Sequence, residues 1–192
     1  MGSLNNMTSC TINRVLLLLT FLSILFFPVH DRAMAGEVEE YSVKAAFVFN
    51  FTKFIQWSET SAVKDSGVYR VCVVGNESVI RQFDSIDGKK NGDLVVQVNP
   101  FSSTKEIKIC DIIFISRDVD RALSDEIIFK VKGKPILTIG ETKGFAKSGG
   151  VINLFSKNNR LFFEINPGAA NSQGLTLSSR LLKLAIIVDE DK

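Results

Sequence analysis

The chain has 192 residues, of which 45% are hydrophobic and 23% are charged, a composition typical of a globular protein with a sizeable core. Its formal net charge is only +2, and its Lys and Arg residues form no dense cluster, which argues against a nucleic-acid partner. The single histidine, His30, lies near the N-terminus.

The first 35 residues have the features of an export leader. Arg14 provides the positive flank, the apolar run from Val15 to Phe27 follows, and Ala33-Met34-Ala35 forms a small-residue cleavage box. The apolar run is shorter than the roughly 20 residues that a bilayer-spanning helix needs, which disfavours the alternative of a retained anchor. We therefore expect a signal peptide at 1–35, cleavage after Ala35, and a periplasmic chain of residues 36–192 that forms one domain.

Cleavage would remove His30 and leave a chain without imidazole. Serine triads, cysteine–histidine dyads and nearly all catalytic zinc sites depend on histidine, so these classes of enzyme are excluded. The sequence also has no phosphate-binding P-loop and no EF-hand calcium loop. We expect no enzymatic activity, no cofactor and no metal site; a histidine-free envelope enzyme is the weakest alternative.

Two cysteines, Cys72 and Cys110, would remain after cleavage. Each lies in an apolar run that is typical of a buried strand, and an exported compartment permits oxidation. A disulfide between the two is the favoured interpretation, and two buried free thiols are the alternative. A catalytic dithiol is disfavoured because the close C-x-x-C spacing is absent.

The mature sequence begins with a helical pattern and then alternates between short β-branched runs and helix-compatible stretches. This alternation predicts βαβ units and a parallel sheet with helices on both faces. The predicted elements are a helix at Val38–Trp57, strands at Tyr69–Gly75, Leu94–Val98, Cys110–Ser116 and Pro135–Gly140, and helices at Glu77–Phe83 and Val119–Lys132.

The C-terminal third predicts a hairpin followed by helices. Its strands are Val151–Phe155 and Leu161–Ile165, and Asn166-Pro167 is a helix-start signal for a short helix that ends near Gln173. A final helix, capped by Ser178 or Ser179, is expected to reach Val188 and to bury Leu181, Leu184 and Val188. The predicted fold class is α/β: a single three-layer domain with an open, mostly parallel sheet of about six strands.

Four side chains are candidates for binding a partner or a ligand. Trp57 and Lys53 lie one turn apart at the end of the first predicted helix, where the indole could stack on a partner, although a core role for Trp57 is the alternative. Glu164 and Arg180 are charged residues in strongly apolar surroundings. They predict either a recognition site or an ion pair between the last strand and the last helix.

Two glycine-containing turns are weaker candidates for a ligand site. Gly75-Asn76 follows a predicted strand and could offer backbone N–H groups to an anion, as strand ends in open sheets often do. The loop Gly144–Gly150 could form a binding lip. In both cases an ordinary turn is the alternative.

Segments along the whole mature chain resemble the YfiR-like family of bacterial periplasmic proteins. The resemblance rests on two longer segments, at 44–57 and 163–185, and on shorter matches between them in the family's order. The quoted segments are Lys44-Ala45-Ala46-Phe47-Val48-Phe49-Asn50-Phe51, Val71-Cys72-Val73-Val74-Gly75, Cys110-Asp111-Ile112-Ile113-Phe114, Gly149-Gly150-Val151-Ile152-Asn153-Leu154, Phe163-Glu164-Ile165-Asn166 and Gly174-Leu175-Thr176-Leu177-Ser178-Ser179-Arg180-Leu181-Leu182.

The resemblance implies a regulatory protein. It implies binding to the periplasmic sensor part of a membrane-anchored diguanylate cyclase, repression of cyclic di-GMP synthesis and thus of biofilm formation, and release by redox or envelope stress or by an outer-membrane lipoprotein. It also implies a homodimer and a bridge between Cys72 and Cys110, whereas the second bridge that some members carry has no cysteines here. The alternative function is a periplasmic small-molecule binding or accessory module for another envelope signalling or receptor protein.

Overall fold

The computed structural model describes residues 31–58, 61, 63 and 66–189, and its compact unit is Val38–Lys192. Most of the predicted signal peptide, residues 1–30, lies outside the described residues, and the predicted cleavage point after Ala35 falls within the first helix, α1 (Asp31–Phe51). No helix in the described part of the chain is long and apolar enough to cross a membrane.

The centre of the fold is an eight-stranded sheet, and its parallel strands confirm the predicted α/β class. The strand order is β10-β8-β7-β6-β5-β2-β4-β3, with parallel pairing from β4 through β7 and antiparallel pairing in the β7–β8 hairpin and at β3. The strands are β2 (Val68–Val74), β3 (Lys90–Asn91), β4 (Leu94–Pro100), β5 (Ile112–Ile115), β6 (Leu137–Gly140), β7 (Ile152–Lys157), β8 (Arg160–Ile165) and β10 (Ile186–Ile187).

Helices cover both faces of this sheet and make three layers, as expected. The first face carries α1 and α2 (Glu77–Phe83), and the second carries α3 (Arg121–Val131) and a 3₁₀ helix at Thr104–Ile109. The period-2 alternation of strand residues separates the two buried clusters: Ile112 and Phe114 of β5 face α1, whereas Ile113 and Ile115 face α3.

The α1 helix ends six residues earlier than the sequence pattern predicts. The Thr52 hydroxyl donates to the Phe49 carbonyl at 2.7 Å, a turn follows, and Ile55–Trp57 forms strand β1. This strand pairs with β9 (Leu175–Leu177) in a separate two-stranded sheet. A pairing across more than 100 residues leaves no local signal in the sequence, so the apolar residues at 54–57 resembled one more helical turn.

The predicted final helix is also wrong beyond its first turn. Ser178 does cap a helix, α5 (Ser179–Leu182), by accepting from the Leu181 N–H at 3.2 Å. The chain then turns, Leu184 is 73% exposed, and β10 pairs in parallel with β8. The β-branched Ile186 and Ile187 favour this extended conformation at the sheet edge. The preceding helix α4 (Pro167–Ser172) has the expected Asn166 cap, which accepts from the Ala169 N–H.

A disulfide joins Cys72 on β2 to Cys110 just before β5. Both cysteines are buried, with Cα atoms 5.8 Å apart, and they lie in the cluster on the α3 side of the sheet. Because β2 and β5 are hydrogen-bonded neighbours, the bridge reinforces a pairing that the sheet already makes. The predicted disulfide is confirmed.

Removing this bridge should lower stability without changing the fold. The bridge closes a 38-residue separation, so the Cys72→Ala/Cys110→Ala variant should lose about 3–4 kcal/mol of unfolding free energy on the chain-entropy model. Urea denaturation under oxidising and reducing conditions measures the loss, and the variant should be insensitive to the reductant. A loss below about 1 kcal/mol would contradict the stabilising role.

Candidate functional site

A buried ion pair joins α1 to the carboxyl end of the sheet. Lys44 is 1% exposed, and its ammonium contacts the carboxylate of Glu141, which directly follows β6 and has a side chain only 3% exposed. A second carboxylate, Glu40, lies one turn earlier on α1 and contacts the same ammonium at 2.6 Å. Desolvated charges of this kind persist only when they are paired and hydrogen-bonded. Lys44 is therefore an anchor for the helix.

Arg117 and Tyr41 complete this cluster. The Tyr41 hydroxyl donates to Glu141 Oε1 at 2.7 Å, and the Arg117 backbone N–H donates to the same oxygen at 2.9 Å. The Arg117 guanidinium reaches Glu40 at 2.7 Å and the Tyr41 oxygen at 3.3 Å. No side-chain polar atom of the cluster is buried without a partner. We name these five residues, Glu40, Tyr41, Lys44, Arg117 and Glu141, the anchor cluster.

The anchor cluster shifts the pKa values of its own members. Burial raises the pKa of Tyr41, and Glu141 raises it further, against the opposing effect of Arg117. For Glu40, burial alone would raise the pKa, but hydrogen bonds and charges from Lys44 and Arg117 outweigh it and lower the pKa below 4.5. The cluster therefore favours an ionised Glu40 and a neutral Tyr41.

The crevice in which an open parallel sheet usually binds a ligand is partly occupied by the chain itself. In this sheet it lies beyond the carboxyl ends of β2 and β5, where the strand order reverses. Asp118 accepts a 3.0 Å hydrogen bond from the Asn76 backbone N–H and another from the Ser116 hydroxyl. Gly75 packs so close that a Cβ there would lie 2.5 Å from the Ser116 oxygen. The predicted anion position at Gly75-Asn76 thus already holds a carboxylate.

The glycine-rich loop is likewise packed against the sheet. Phe145 is 4% exposed and lies over Gly140 and Gly150, where an added Cβ would come within 2.5 and 2.2 Å of its ring. Glycine is needed at both positions because the Phe145 ring occupies the space that a Cβ would fill. The loop therefore closes a core through Phe145, and Phe145 and Ser148 also line a small pocket of about 60 Å³ beside α3.

One face of the sheet is only partly covered. Alternation along β7, β8 and β10 places Phe155, Phe162, Glu164 and Ile186 on the face opposite α1, at the end of the sheet away from α3. Phe162 is 40% exposed and stacks on Phe155 with ring centroids 5.8 Å apart, and Ile186 is 51% exposed. We name these four residues the open sheet face.

The four predicted binding residues do not form one site. Glu164 lies on the open sheet face and accepts a 3.0 Å hydrogen bond from Asn153, its cross-strand neighbour. Arg180 is exposed on α5, and no ion pair joins it to Glu164 in the described part of the chain, so the ion-pair alternative is wrong. Glu164 belongs to strand β8 and Arg180 to helix α5, so the two side chains can point apart although the sequence around each is apolar.

The other two candidates occupy different environments again. Trp57 is 6% exposed, belongs to the core and packs on Tyr69 with ring centroids 5.0 Å apart, so the core interpretation fits it. Its indole N–H is buried without a hydrogen-bond partner among the described residues. Lys53 is exposed, bonds to Asn50 at 2.9 Å and lies over the Phe49 ring.

Sequence reasoning missed the anchor cluster, although one signal was available. Lys44 lies between Tyr41, Ala45 and Val48 on the stripe of α1 that faces the core. A lysine within an apolar stripe indicates either a stem that reaches solvent or a buried acidic partner. Its partner, Glu141, follows a strand almost 100 residues later, and only the folded topology brings the two together.

Breaking the buried pair on one side should be more harmful than neutralising both sides. Lys44→Met leaves the Glu141 carboxylate buried without its main cation and should cost about 3 kcal/mol of unfolding free energy. The double variant Lys44→Met/Glu141→Gln should recover part of that loss. The exposed pair of Arg81 and Glu77 gives the control: Arg81→Met should cost about 0.5 kcal/mol or less. Equal losses for Lys44→Met and Arg81→Met would contradict the anchoring role.

The lowered pKa of Glu40 gives the cluster a pH dependence of known sign. Its ionised form stabilises the fold above the ordinary carboxyl pKa of 4.5, and this contribution is lost as the pH falls through the lowered value. Unfolding free energies measured between about pH 3 and pH 7 should show the protein and its Glu40→Gln variant converging at low pH. A difference that stays constant over this range would contradict the assignment.

Comparison with known proteins places the chain in a family. The family model described as DUF4154, YfiR/HmsC-like, matches residues 41–186, and no curated protein gives a significant match. The matched range includes the disulfide and every strand of the central sheet except the last residue of β10, Ile187, and it begins at Tyr41 of the anchor cluster. At the level of the family, this match supports a periplasmic regulator of diguanylate cyclase signalling, and such proteins are regulators rather than enzymes. The chain belongs to the YfiR/HmsC-like family.

Proposed function

We propose that this protein binds the periplasmic sensor part of a membrane-anchored diguanylate cyclase and represses cyclic di-GMP synthesis. Two observations support the proposal: the family match, and an exposed apolar surface at one end of the sheet, away from the strand-end turn that Asp118 already occupies. The open sheet face carries the argument, because its aromatic and aliphatic side chains lie outside both buried core clusters and are partly exposed to solvent.

The open sheet face has the composition of an interaction surface. Two stacked phenylalanines and a half-exposed isoleucine place aromatic and aliphatic area next to water, where it weakens solubility unless a partner covers it. Buried aromatic anchors contribute most of the binding energy in typical interfaces. Phe162 is the most accessible of the aromatic pair and would be the main anchor.

Polar groups on the same face can orient a partner. The hydrogen bond from Asn153 holds the Glu164 carboxylate in a fixed position beside the aromatic pair. Alternation places Lys157 and Arg160 on this face at the hairpin end, so an acidic and a basic region flank the apolar centre. An apolar centre with a charged rim gives affinity and orientation together.

The proposal includes three features that the family resemblance implies. The chain acts in the periplasm after cleavage behind Ala35, it forms a homodimer, and an outer-membrane lipoprotein can capture it and release the cyclase. The alternative, a periplasmic small-molecule binding or accessory module, has less support. Asp118 bonds to the strand-end turn, and the pocket that Phe145 and Ser148 of the loop help to line encloses only about 60 Å³, well below the roughly 300 Å³ of a typical ligand site.

Repression should depend on the open sheet face and not on exposed aromatic residues in general. In a reporter bacterium that carries the cyclase, cyclic di-GMP should fall when this protein is exported. Compared with the unmodified protein, Phe162→Ser and Glu164→Ala should each raise the cyclic di-GMP level about tenfold or more, toward the level found without this protein. A change of this size is expected for loss of an interface hot spot. Phe129→Ser on α3 is the matched control, because Phe129 is 76% exposed on a helix packed on another part of the sheet.

Thermal unfolding of each purified variant separates a lost interface from a lost fold. All three residues are at least partly exposed, so melting temperatures close to that of the unmodified protein are expected. Repression that survives Phe162→Ser and Glu164→Ala, or that Phe129→Ser abolishes equally, would contradict the assignment of this face. No change in cyclic di-GMP with the exported, folded protein would contradict cyclase repression itself.

A further inference from the structure

A small polar pocket lies between α3 and the carboxyl ends of β5 and β6. It encloses about 60 Å³, and the buried side chains of Ile128 and Phe145 form its apolar wall. Arg117 lines it from the turn after β5, and Thr142 and Lys143 line it from the loop after β6. Because β5 and β6 are parallel neighbours, both segments lie at the same edge of the sheet. Ligand sites of open α/β sheets usually lie at this edge. We name this space the α3 pocket.

One side of α3 supplies the polar wall of the α3 pocket. Arg121 is followed after three and four residues by Ser124 and Asp125, a spacing that places all three on the same side of the helix. Ser124 is 8% exposed, yet its hydroxyl makes no hydrogen bond within the described part of the chain. This hydroxyl is also not among the fully enclosed polar atoms, so it lies on the small accessible part of Ser124. A ligand in the pocket can therefore use it.

The charges around the α3 pocket favour an anion. Lys143 is exposed, and residues 31–58, 61, 63 and 66–189 provide no ion pair for it. Arg121 lies 3.6 Å from Asp125, but both side chains are more than half exposed, so this pair is weak. Arg117 is already held by the carboxylates of the anchor cluster. The charge of Lys143 is thus left without a counter-ion next to two buried apolar side chains, where the attraction for an anion is strengthened.

The volume of the α3 pocket limits what it can hold. One water molecule needs roughly 10–15 Å³ of such space. The 60 Å³ of the pocket therefore suits a tetrahedral oxyanion such as phosphate, but not a whole metabolite, which needs roughly 300 Å³ or more. Every oxygen of phosphate accepts hydrogen bonds, and ammonium, guanidinium and hydroxyl groups all donate them. The size and the chemistry of the pocket agree on the same class of ligand.

We propose that the α3 pocket binds one phosphate-sized oxyanion, either free inorganic phosphate or the terminal group of a phosphomonoester. Lys143 supplies the unpaired charge, and the Ser124 hydroxyl donates from the wall. Arg121 exchanges its weak contact with Asp125 for the anion. The pocket lies beside α3, away from the open sheet face, so this inference holds whether or not the protein represses a cyclase.

Isothermal titration calorimetry of the exported protein, in a buffer free of phosphate and sulfate, tests the proposal. Inorganic phosphate should bind saturably at millimolar concentration or below, with one site per chain, whereas chloride at the same ionic strength should not. Glycerol 3-phosphate is the second probe and distinguishes the two sources of the anion. Comparable binding of both probes supports entry of a terminal phosphate group, and binding of inorganic phosphate alone supports a site for the free ion. No saturable binding of either probe would overturn the proposal.

A matched pair of lysine variants separates the site from a general effect of charge. Lys143→Gln should weaken phosphate binding about tenfold, because it removes the unpaired cation of the pocket. Lys134→Gln removes the same charge from an exposed position beyond the other end of α3, and it should change the affinity by less than about twofold. Equal weakening by the two substitutions would overturn the assignment of the α3 pocket.

Two substitutions on α3 separate a ligand site from a structural role. Ser124→Ala should weaken phosphate binding about fivefold by removing a donor, while the melting temperature should not fall, because alanine is the better helix former. Asp125→Asn should strengthen binding, because it removes the carboxylate that competes for Arg121. Unchanged affinity in both variants would overturn the proposed contacts. None of these outcomes alters the cyclic di-GMP result expected for the open sheet face, so the two proposals fail separately.

Discussion

The architecture depends on how α1 is held across the sheet. The C-terminal end of α1 packs through aromatic rings, and the ring centroids of Phe51 and Phe163 lie 5.3 Å apart. About two turns earlier, the helix is held by the buried pair of Lys44 and Glu141. A helix attached by apolar contacts alone could slide along the sheet, whereas a buried ion pair has one satisfied position. This constraint fixes the position of α1 over the carboxyl ends of β5 and β6.

The same constraint has a functional consequence. In many open α/β sheets the carboxyl ends of the central strands hold a ligand. Here the anchor cluster and Asp118 supply donors and acceptors from within the chain, and no buried side-chain polar atom of the anchor cluster lacks a partner. Exposed aromatic and aliphatic side chains, Phe162 and Ile186, lie at the β7–β8–β10 end of the sheet. We propose that this fold binds a protein there, in agreement with a regulatory family.

Local signals in the sequence predict helices and their caps, but they do not predict pairings between residues that are far apart in the chain. The Asn166 cap, the helix at Glu77–Phe83 and the pairing of two cysteines in adjacent buried strands are confirmed. The β1–β9 pairing was missed because its two short strands are separated by more than 100 residues. Trp57 illustrates the same limit, since only the tertiary fold shows that its ring packs on Tyr69.

The proposed function requires the open sheet face, and not the strand-end crevice, to contact the membrane partner. Hydrogen exchange of the backbone amides, measured with and without the purified sensor domain of the cyclase, tests this most directly. Binding through the open sheet face should give new protection in β8 and β10 and leave exchange at Gly75, Asn76 and Asp118 unchanged. Protection confined to those strand-end residues, or no complex between the folded proteins, would contradict it.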